Sequence, residues 1–241
     1  MKRYALIKPA VLAGSALFAG FALAGDPASK AAIAPAPSSN LEANFEAGYS
    51  SDYVFRGNNR GADLFSAGIG VSGSGNNFDW AADIWLASFG DSNEMDISIS
   101  ASKSLSDNLD LSLGVTNYSY FGGAAGDDNL EPYVSLGTSV GGISLGVAAY
   151  YNESGGAADH DIYWEITAGL VEMDLGNNMT LGISGMLGHF DDGDVDTIYG
   201  VSAGLSIAAS DSITVTPHIT HTIDGASGDE TVTGVSVGFG F

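Results

Sequence analysis

The end of the chain alternates between bulky apolar and small side chains, and this pattern narrows how it can fold. In the last eight residues the apolar Val235, Val237, Phe239 and Phe241 alternate with Gly234, Ser236, Gly238 and Gly240. Successive side chains of a β-strand point to opposite faces, so the segment predicts a strand with one apolar face and one nearly bare face. A helix would mix the two sets around its circumference.

The N-terminus has the three parts of a secretory signal peptide. Basic residues precede an apolar stretch at 10–24, and the small-x-small pattern of 22–24 predicts cleavage after it. We expect residues 1–24 to be removed, because the stretch is too short for a lasting membrane span; a retained anchor helix is the alternative. Residues 25–40, rich in small and turn-forming residues, predict a flexible lead-in, and residues 41–241 the folded domain.

Alternating segments recur along the rest of the chain, each of about ten residues, as in transmembrane β-barrels. They lie at 42–56, 62–73, 77–87, 95–105, 109–120, 130–140, 143–152, 161–173, 179–190, 197–208, 212–223 and 230–241. No apolar stretch after the signal approaches the roughly 20 residues of a spanning helix, and a membrane protein without such helices must close a sheet. We therefore predict an all-β fold, a single antiparallel transmembrane β-barrel of about 12 strands. A soluble sandwich is the alternative, since it would bury the same apolar faces.

The connections between these segments alternate in length and charge. The short ones are residues 74–76, 107–108, 141–142, 176–178 and Asp211. The longer, acidic ones are residues 89–94, 122–129, 153–160, 191–196 and 224–229. This asymmetry predicts short periplasmic turns and longer acidic extracellular loops. The connection at 57–61 belongs to the long set by position but is short.

Aromatic residues concentrate near the ends of the predicted strands. Those toward the longer loops are Tyr53, Phe55, Tyr151, Trp164 and Tyr199, and those toward the short turns are Phe78, Trp80, Phe239 and Phe241. The two groups predict aromatic girdles at the two lipid interfaces. Phe239 and Phe241 also predict an assembly signal for the barrel-assembly machinery, because the last strand must pair with the first to close the barrel.

The inward face of the predicted barrel carries many acids and few bases. On the alternating register, the charged residues that point into the lumen are Glu42, Glu46, Asp52, Arg56, Asp79, Asp83, Asp96, Asp110, Glu131 and Glu165. Rings of carboxylates favour cations and repel anions. We expect Arg56 to pair with Asp52 or Glu46, either as a constriction charge or as a structural ion pair.

The width of the lumen follows from the size of the inward residues. Many are Gly, Ser or Ala, which leave space. Large inward side chains oppose this, namely Trp85, Tyr118, Tyr120, Tyr133, Tyr150 and Tyr163. Barrels of eight strands fill with side chains and those of 16 to 18 hold a channel, so twelve strands lie between. We predict a narrow, partly occluded passage that prefers cations.

The first strand carries the motif Gly48-Tyr-Ser-Ser-Asp52-Tyr-Val-Phe-Arg56-Gly57. It resembles the opening motif of the TorF family of porins, which are outer-membrane barrels of Gram-negative bacteria. The similarity extends more loosely over residues 41–241, and the chain departs from the pattern at 58–60, where Asn-Asn-Arg stands in place of Val/Ile-Ser-Gln. The resemblance implies a barrel in the bacterial outer membrane and passage of small solutes.

The charge balance restricts the partners. The formal net charge is −22, and only four of the seven Lys and Arg residues lie beyond residue 24. Nucleic acid is excluded as a partner because its binding requires Lys and Arg to displace counterions. We expect contacts with outer-membrane lipid, lipopolysaccharide and small solutes.

No cofactor is predicted, and the chain has no Cys to ligate a metal. Asp192, Asp194 and Asp196 resemble the front of a calcium loop, with oxygens at alternate positions, but Thr197 stands where that loop has Gly. They are candidate metal ligands. The alternatives are a solvated acidic loop, or loosely bound divalent cations that bridge to lipopolysaccharide phosphates.

These patterns predict a porin-like channel for passive passage of small cationic or neutral solutes. A non-conducting structural or adhesive barrel is the alternative. A third hypothesis, an omptin-like surface hydrolase, depends on the His and Asp residues at 159–161 and 191–192. The sequence assigns no catalytic residue, so we do not expect an enzyme.

Overall fold

The computed structural model describes residues 41–75, 78–122, 128–154, 160–191 and 197–241. The predicted signal and lead-in at 1–40 and the candidate metal ligands Asp192, Asp194 and Asp196 lie outside these residues. Within the described part of the chain, no helix has the length and hydropathy that crossing a membrane requires.

The described residues form twelve β-strands. Their bounds are β1 (Leu41–Phe55), β2 (Asn58–Ser74), β3 (Asp79–Phe89), β4 (Ser92–Ser106), β5 (Leu109–Phe121), β6 (Asn129–Val140), β7 (Ile143–Ser154), β8 (His160–Gly176), β9 (Met179–Phe190), β10 (Ile198–Ser210), β11 (Ile213–Gly225) and β12 (Gly228–Gly240). Each strand pairs with its sequence neighbours in the antiparallel sense, and β12 pairs with β1, so the sheet is a closed barrel. The predicted all-β fold and strand number are confirmed.

The closing seam joins the two ends of the domain. Phe239 pairs with Phe45 across it, and their ring centroids are 5.8 Å apart. The amide of Phe241 donates a hydrogen bond of 2.9 Å to the carbonyl oxygen of Ala43. The C-terminal aromatic strand therefore completes the barrel through its backbone, as the register predicted; the role of Phe239 and Phe241 in assembly stays a prediction.

The outer surface of the barrel is apolar. Aliphatic residues exposed on it include Ile97, Ile99, Leu113, Leu136, Val147, Ile166, Val201, Ile219 and Val235. On β7 the alternate residues Ser144, Ala148 and Tyr150 are buried, whereas Leu145 and Val147 are exposed. Because adjacent residues point to opposite faces, the polar and small set lines the interior, and the alternation assigns both faces as predicted.

The two ends of the barrel differ in their connections. At the turn end lie residues 107–108, 141–142, 177–178 and 211–212, together with the end of β2, the start of β3 and both ends of the barrel domain. At the loop end lie residues 56–57, 90–91 and 226–227, together with the ends of β5, β7 and β9 and the starts of β6, β8 and β10. Pairs of positive-φ residues, Gly141 with Gly142 and Asn177 with Asn178, form tight turns that match the twist of a hairpin.

The prediction of longer loops was wrong for two of the connections at the loop end. The predicted loop at 89–94 is a turn at Gly90–Asp91, and the one at 224–229 is a turn at residues 226–227. Gly90, Asp224 and Gly228 all have positive φ, so these residues supply the backbone conformations of tight turns, and the strands run further than expected. Residues 123–127, 155–159 and 192–196 of the other acidic loops lie outside the described residues.

Candidate functional site in the lumen

The tip of the hairpin formed by β1 and β2 leaves the barrel wall. The ladder between β1 and β12 ends at the pair Ser50 and Gly234, and that between β2 and β3 ends at Phe65 and Ser88. Beyond these pairs only scattered bonds join the segment to the wall, such as the one from the Gly90 amide to the Ala62 carbonyl oxygen, 3.0 Å. We call residues 51–64 the hairpin tip.

A break in the strand alternation turns the hairpin tip into the lumen. Ser50 and Tyr53 are both buried although three positions apart, and Asp63 on the paired strand has a φ of 56°. A strand of regular period 2 would place Ser50 and Tyr53 on opposite faces. Tyr53 is only 1% exposed and packs on Trp85, with ring centroids 6.0 Å apart.

Because of this break, the prediction of the aromatic girdle at the loop end was wrong for two of its members. Tyr53 and Phe55 were expected at the lipid interface, but Tyr53 is buried inside and Phe55 stacks on the guanidinium of Arg56. Tyr151, Trp164 and Tyr199 are exposed on the outer surface, as predicted. The alternation was extrapolated through a bend that the local sequence did not indicate.

Arg56 stands at the turn of the hairpin tip and reaches the opposite wall of the barrel. Arg56 and Gly57 have φ of 48° and 72°, the conformation of a type I′ turn. The Nη1 and Nη2 atoms of Arg56 each donate a hydrogen bond of 2.7 Å to a different oxygen of Glu131 on β6. The bidentate partner is therefore Glu131, where the sequence suggested Asp52 or Glu46.

Aromatic rings enclose the Arg56 guanidinium. Its Cζ lies 4.2 Å from the ring centroid of Tyr163, 4.7 Å from that of Tyr150 and 4.7 Å from that of Phe55. The hydroxyl of Tyr118 donates a hydrogen bond of 3.1 Å to the Oε1 of Glu131. These contacts combine a fork-shaped ion pair with cation–π interactions in a buried site.

Further contacts hold the hairpin tip across the loop end of the lumen. The amide of Ser227, in the turn between β11 and β12, donates a hydrogen bond of 3.2 Å to the Gly57 carbonyl oxygen. A Cβ on Gly57 would lie 2.8 Å from the Cα of Gly225 and 3.2 Å from the side chain of Ile198. The tip thus contacts β10, β11 and the turn after β11 on one side, and Glu131 of β6 across the lumen, so it covers the loop end of the lumen.

The hairpin tip is part of one apolar cluster, and the loop-end half of the lumen contains a second apolar cluster. Residues buried in the first are Tyr53, Val54, Leu64, Trp85, Ala87, Phe89 and Val232, and those in the second are Ala148, Tyr150, Tyr163 and Ile198. Of the inward aromatic residues predicted to constrict the lumen, Trp85, Tyr118, Tyr150 and Tyr163 are each 6% exposed or less. The loop end of the lumen is therefore filled.

Four carboxylates are buried within the loop-end half. Glu94, Asp96, Glu131 and Glu165 are each at most 7% exposed. Tyr53 and Tyr120 lie against Glu94, and the Tyr163 hydroxyl donates a hydrogen bond of 3.3 Å to Glu165. Buried carboxylates require cations or hydrogen-bond donors, and the phenol groups of this region supply donors.

The turn-end half of the lumen is more open. A cavity of about 40 Å³ lies against β1, β2, β3 and β4 and is large enough for a few water molecules. Trp85 and Asp96 of the loop-end half border it, and the other lining residues are Asn44, Glu46, Ser66, Gly68, Ile69, Gly70, Asp83, Ile84 and Ser98. Among the described residues, no group of three or more His, Asp or Glu side chains is arranged to hold a metal ion.

The predicted lumen residues fall into four places. Arg56, Glu131, Asp96 and Glu165 belong to the filled loop-end half, and Glu46 and Asp83 line the cavity, which Asp96 borders from above. Glu42, Asp79 and Asp110 lie near the turn end, where the Oδ1 of Asp110 accepts a hydrogen bond of 2.6 Å from Ser104. Asp52 is partly exposed on the hairpin tip.

Sequence reasoning missed two parts of the site. Glu94 was assigned to a loop, whereas β4 begins at Ser92 and places Glu94 two residues before Asp96 on the same inward face. The rings of Tyr150 and Tyr163 were predicted to point inward, but not to enclose Arg56. Extending the alternation of β4 backwards would have found Glu94. No local signal connects Arg56 to the rings of Tyr150 and Tyr163, which are 94 and 107 residues further along the chain.

The hydrolase hypothesis finds one Ser–His pair in the described residues. The Nε2 of His218 lies 3.4 Å from the Oγ of Ser50, and its Nδ1 lies 3.4 Å from the carbonyl oxygen of Thr216. In a catalytic triad that second nitrogen is oriented by a carboxylate. The pair does not have that arrangement. Asp159 and Asp192, on which the hypothesis depended, lie outside the described residues.

Comparison with known proteins places the fold. No protein-family model and no curated protein matches the chain. Among solved structures it is similar to the KdgM porin, with a TM-score of 0.54 and 11% identity over 83% of this chain and 99% of that one. The NanC porin matches with a TM-score of 0.55 and 14% identity over 82% of this chain and 98% of that one.

A third match is the COG4313 outer membrane channel from Pseudomonas putida F1, with a TM-score of 0.52 and 9% identity over 86% of this chain and 97% of that chain. All three neighbours are outer-membrane porins or channels by name, and at these identities the likeness establishes a shared barrel fold. The resemblance to the TorF family stays a prediction.

Proposed function

We propose that the protein is an outer-membrane channel for the passive passage of small cationic or neutral solutes, with a conductance limited by the hairpin tip. The observation that carries the proposal is the interior: a closed barrel with an acidic lumen, open toward the turn end and constricted at the loop end by one inward-folded hairpin. The porin and channel folds of its structural neighbours support the same function.

The charges of the lumen wall favour cations. The buried acids of the loop-end half outnumber Arg56, and Glu46 and Asp83 add negative charge to the cavity below. A low-dielectric wall concentrates the field of such charges, which raises the local concentration of cations and lowers that of anions. Neutral solutes would pass by size alone.

Planar-bilayer recording of refolded protein tests the proposal. With a KCl gradient across the bilayer, we expect a small conductance whose reversal potential has the sign of cation selectivity. Folded protein is identified beforehand by its heat-modifiable gel mobility, so a silent bilayer cannot be ascribed to unfolded material. A reversal potential of anion selectivity, or no conductance from folded protein, would contradict the proposal.

A non-conducting structural or adhesive barrel is the second candidate. The observation that favours it is the same hairpin tip, since Arg56 and its aromatic surroundings close the loop end in this conformation. This function predicts that deletion of residues 122–129 and 191–196, the acidic loops, abolishes attachment to its surface partner. Unchanged attachment together with measurable conductance would eliminate it.

The proposed location is the outer membrane, with lipid around the apolar surface and lipopolysaccharide at the loop end, where divalent cations would bridge its phosphates to the acidic loops.

Assembly would depend on Phe241, which lies at the closing seam and is 83% exposed. Deleting Phe241 should lower the amount of inserted barrel without changing the conductance of the molecules that do insert. Normal insertion of the truncated chain would argue against an assembly role.

A further inference from the structure

Four consecutive strands contribute the carboxylate and the tyrosines around Arg56, and Phe55 of the hairpin tip adds a third ring. Tyr118 belongs to β5, Glu131 to β6, Tyr150 to β7 and Tyr163 to β8. We call these four residues the wall cage. The guanidinium inside it comes from the hairpin tip, a different part of the chain that is not hydrogen-bonded to these strands through its backbone ladder.

We propose that the wall cage is a recognition site for guanidinium cations, and that Arg56 is its tethered occupant in the closed state. The inference rests on the proposed channel function and names a class of solute for it: small molecules that carry a guanidinium group. Arg56 would occupy the site that such a solute meets on its way through the lumen.

The chemistry of the wall cage matches a planar, bidentate cation better than an ammonium ion. Glu131 accepts two parallel hydrogen bonds of 2.7 Å, which requires two N–H groups in a fork. Tyr150 and Tyr163 present their rings to the delocalised charge at 4.7 and 4.2 Å. An ammonium group offers a point charge without the fork or the flat surface that stacks on rings.

The hydrogen bond from Tyr118 prepares Glu131 for this cation. The phenol donates to Oε1, the oxygen that also accepts from Nη2 of Arg56. The carboxylate is thereby held in one orientation, and it is only 2% exposed. With the guanidinium removed, a buried carboxylate would remain without its cation, which is a strong drive to take up another one.

The attachment of Arg56 sets the concentration at which a solute can displace it. Its segment leaves the ladders with β12 and β3 beyond Ser50 and Phe65, but the tip itself is packed in the first apolar cluster. A tethered group competes with free solute through an effective concentration, which is typically millimolar for a short flexible connection and rises when the tether holds the group in place. A guanidinium solute would therefore exchange with Arg56 only above the millimolar range, and the exchange would move the hairpin tip.

The test removes the Arg56 side chain from the wall cage and supplies a free guanidinium ion in its place. Arg56→Ala leaves the four wall residues in place, and methylguanidinium chloride at millimolar concentration, far below denaturing levels, is the probe. Thermal unfolding in detergent micelles is followed through heat-modifiable gel mobility. Methylammonium chloride at equal ionic strength is the matched probe, and Arg60→Ala, which removes the exposed arginine near Phe55, is the matched variant.

We expect methylguanidinium to raise the Tm of Arg56→Ala in a saturable manner, with a midpoint about tenfold lower than that of methylammonium because only the former makes both hydrogen bonds. Arg60→Ala should not respond, since Arg56 still fills its cage. The double variant Arg56→Ala, Glu131→Gln should not respond either. Equal responses to the two cations, or a response in the double variant equal to that of Arg56→Ala, would overturn the proposal.

Arg56→Lys provides the same test if Arg56→Ala does not fold. A lysine keeps the charge but not the fork, so methylguanidinium should displace it and raise the Tm, whereas wild-type protein should not respond in the same range. No response of Arg56→Lys would overturn the proposal.

The thermal assay measures cation binding to the wall cage, and bilayer recording measures conductance. Either proposal can therefore be contradicted without the other. A selective thermal response in protein that never conducts supports the guanidinium site and contradicts the channel. Conductance in Arg56→Ala that methylguanidinium does not lower contradicts tethered closure by this site while leaving the channel intact.

Discussion

The two halves of the lumen are built on the same wall yet differ in what fills them. Toward the turn end, alternate inward positions carry Gly, Ser and Asn beside a cavity. Toward the loop end, β3, β5, β7 and β8 carry Trp85, Tyr118, Tyr150 and Tyr163, and the hairpin tip lies among them. The difference indicates that the barrel is formed by the alternation of its strands, whereas its closure depends on a few long-range contacts made by one hairpin.

The energetic demands of the halves differ too. The turn-end acids Glu46 and Asp79 are exposed and solvated. The loop-end acids are buried, and Glu131 requires Arg56 as a counterion. Substitutions in the two halves should therefore have unequal effects, and matched pairs of variants measure that inequality.

The largest effect is expected when Glu131 loses its carboxylate. Glu131→Ala leaves the Arg56 guanidinium buried at 7% exposure without its bidentate partner, which typically costs about 3–5 kcal/mol. Asp79→Ala in the turn-end half removes an exposed acid and should change stability by about 0.5 kcal/mol or less. Chemical unfolding of refolded barrels in micelles measures both, and equal losses would refute the contrast.

An intermediate effect is expected when the contact of the hairpin tip with β11 is disrupted. Gly57→Ala places a Cβ at a residue with φ of 72° and against Gly225, costing about 2 kcal/mol. Its conductance should rise, because the tip no longer fits beneath the turn of residues 226–227. Gly240→Ala, where a Cβ meets nothing within 4 Å, is the control and should leave both quantities unchanged. A Gly57→Ala barrel with wild-type conductance would show that the tip does not limit passage.

The smallest effect is expected from one hydroxyl group. Tyr118→Phe removes the hydrogen bond to Glu131 and should cost about 1–2 kcal/mol, since a buried carboxylate loses a donor. Tyr199→Phe, on the exposed outer surface, should cost about 0.5 kcal/mol or less. Indistinguishable unfolding midpoints for the two variants would mean that Glu131 does not depend on Tyr118.

The sequence predicted the wall because the wall is encoded locally. Alternation over each segment, with turn formers such as Asn177–Asn178 and Gly141–Gly142 between them, determines where strands begin and which face is apolar. The closing pair β1 and β12 also followed, because a barrel of antiparallel strands must join its first strand to its last.

The closure could not be predicted in the same way. The run Ser50-Ser51-Asp52-Tyr53 gives no sign that the alternation breaks there, and Asp63 adopts its positive φ on the other strand. Arg56 and Glu131 are 75 residues apart, and neither residue type nor spacing joins them. The sequence predicted that each of these aromatic rings points inward. It did not predict that the hairpin tip bends into the lumen and places the Arg56 guanidinium between them.

Closure by the hairpin tip is tested most directly by the conductance of a barrel in which the tip can be locked. The chain has no Cys, and the Oγ of Ser227 lies 3.4 Å from the Oδ1 of Asn58 on the tip, so Asn58→Cys with Ser227→Cys would form a single disulfide. We predict a lower conductance in the oxidised barrel than in the same barrel after reduction, with each single-cysteine variant insensitive to reductant. Equal conductance in the two redox states would contradict the claim that the hairpin tip limits passage through the lumen.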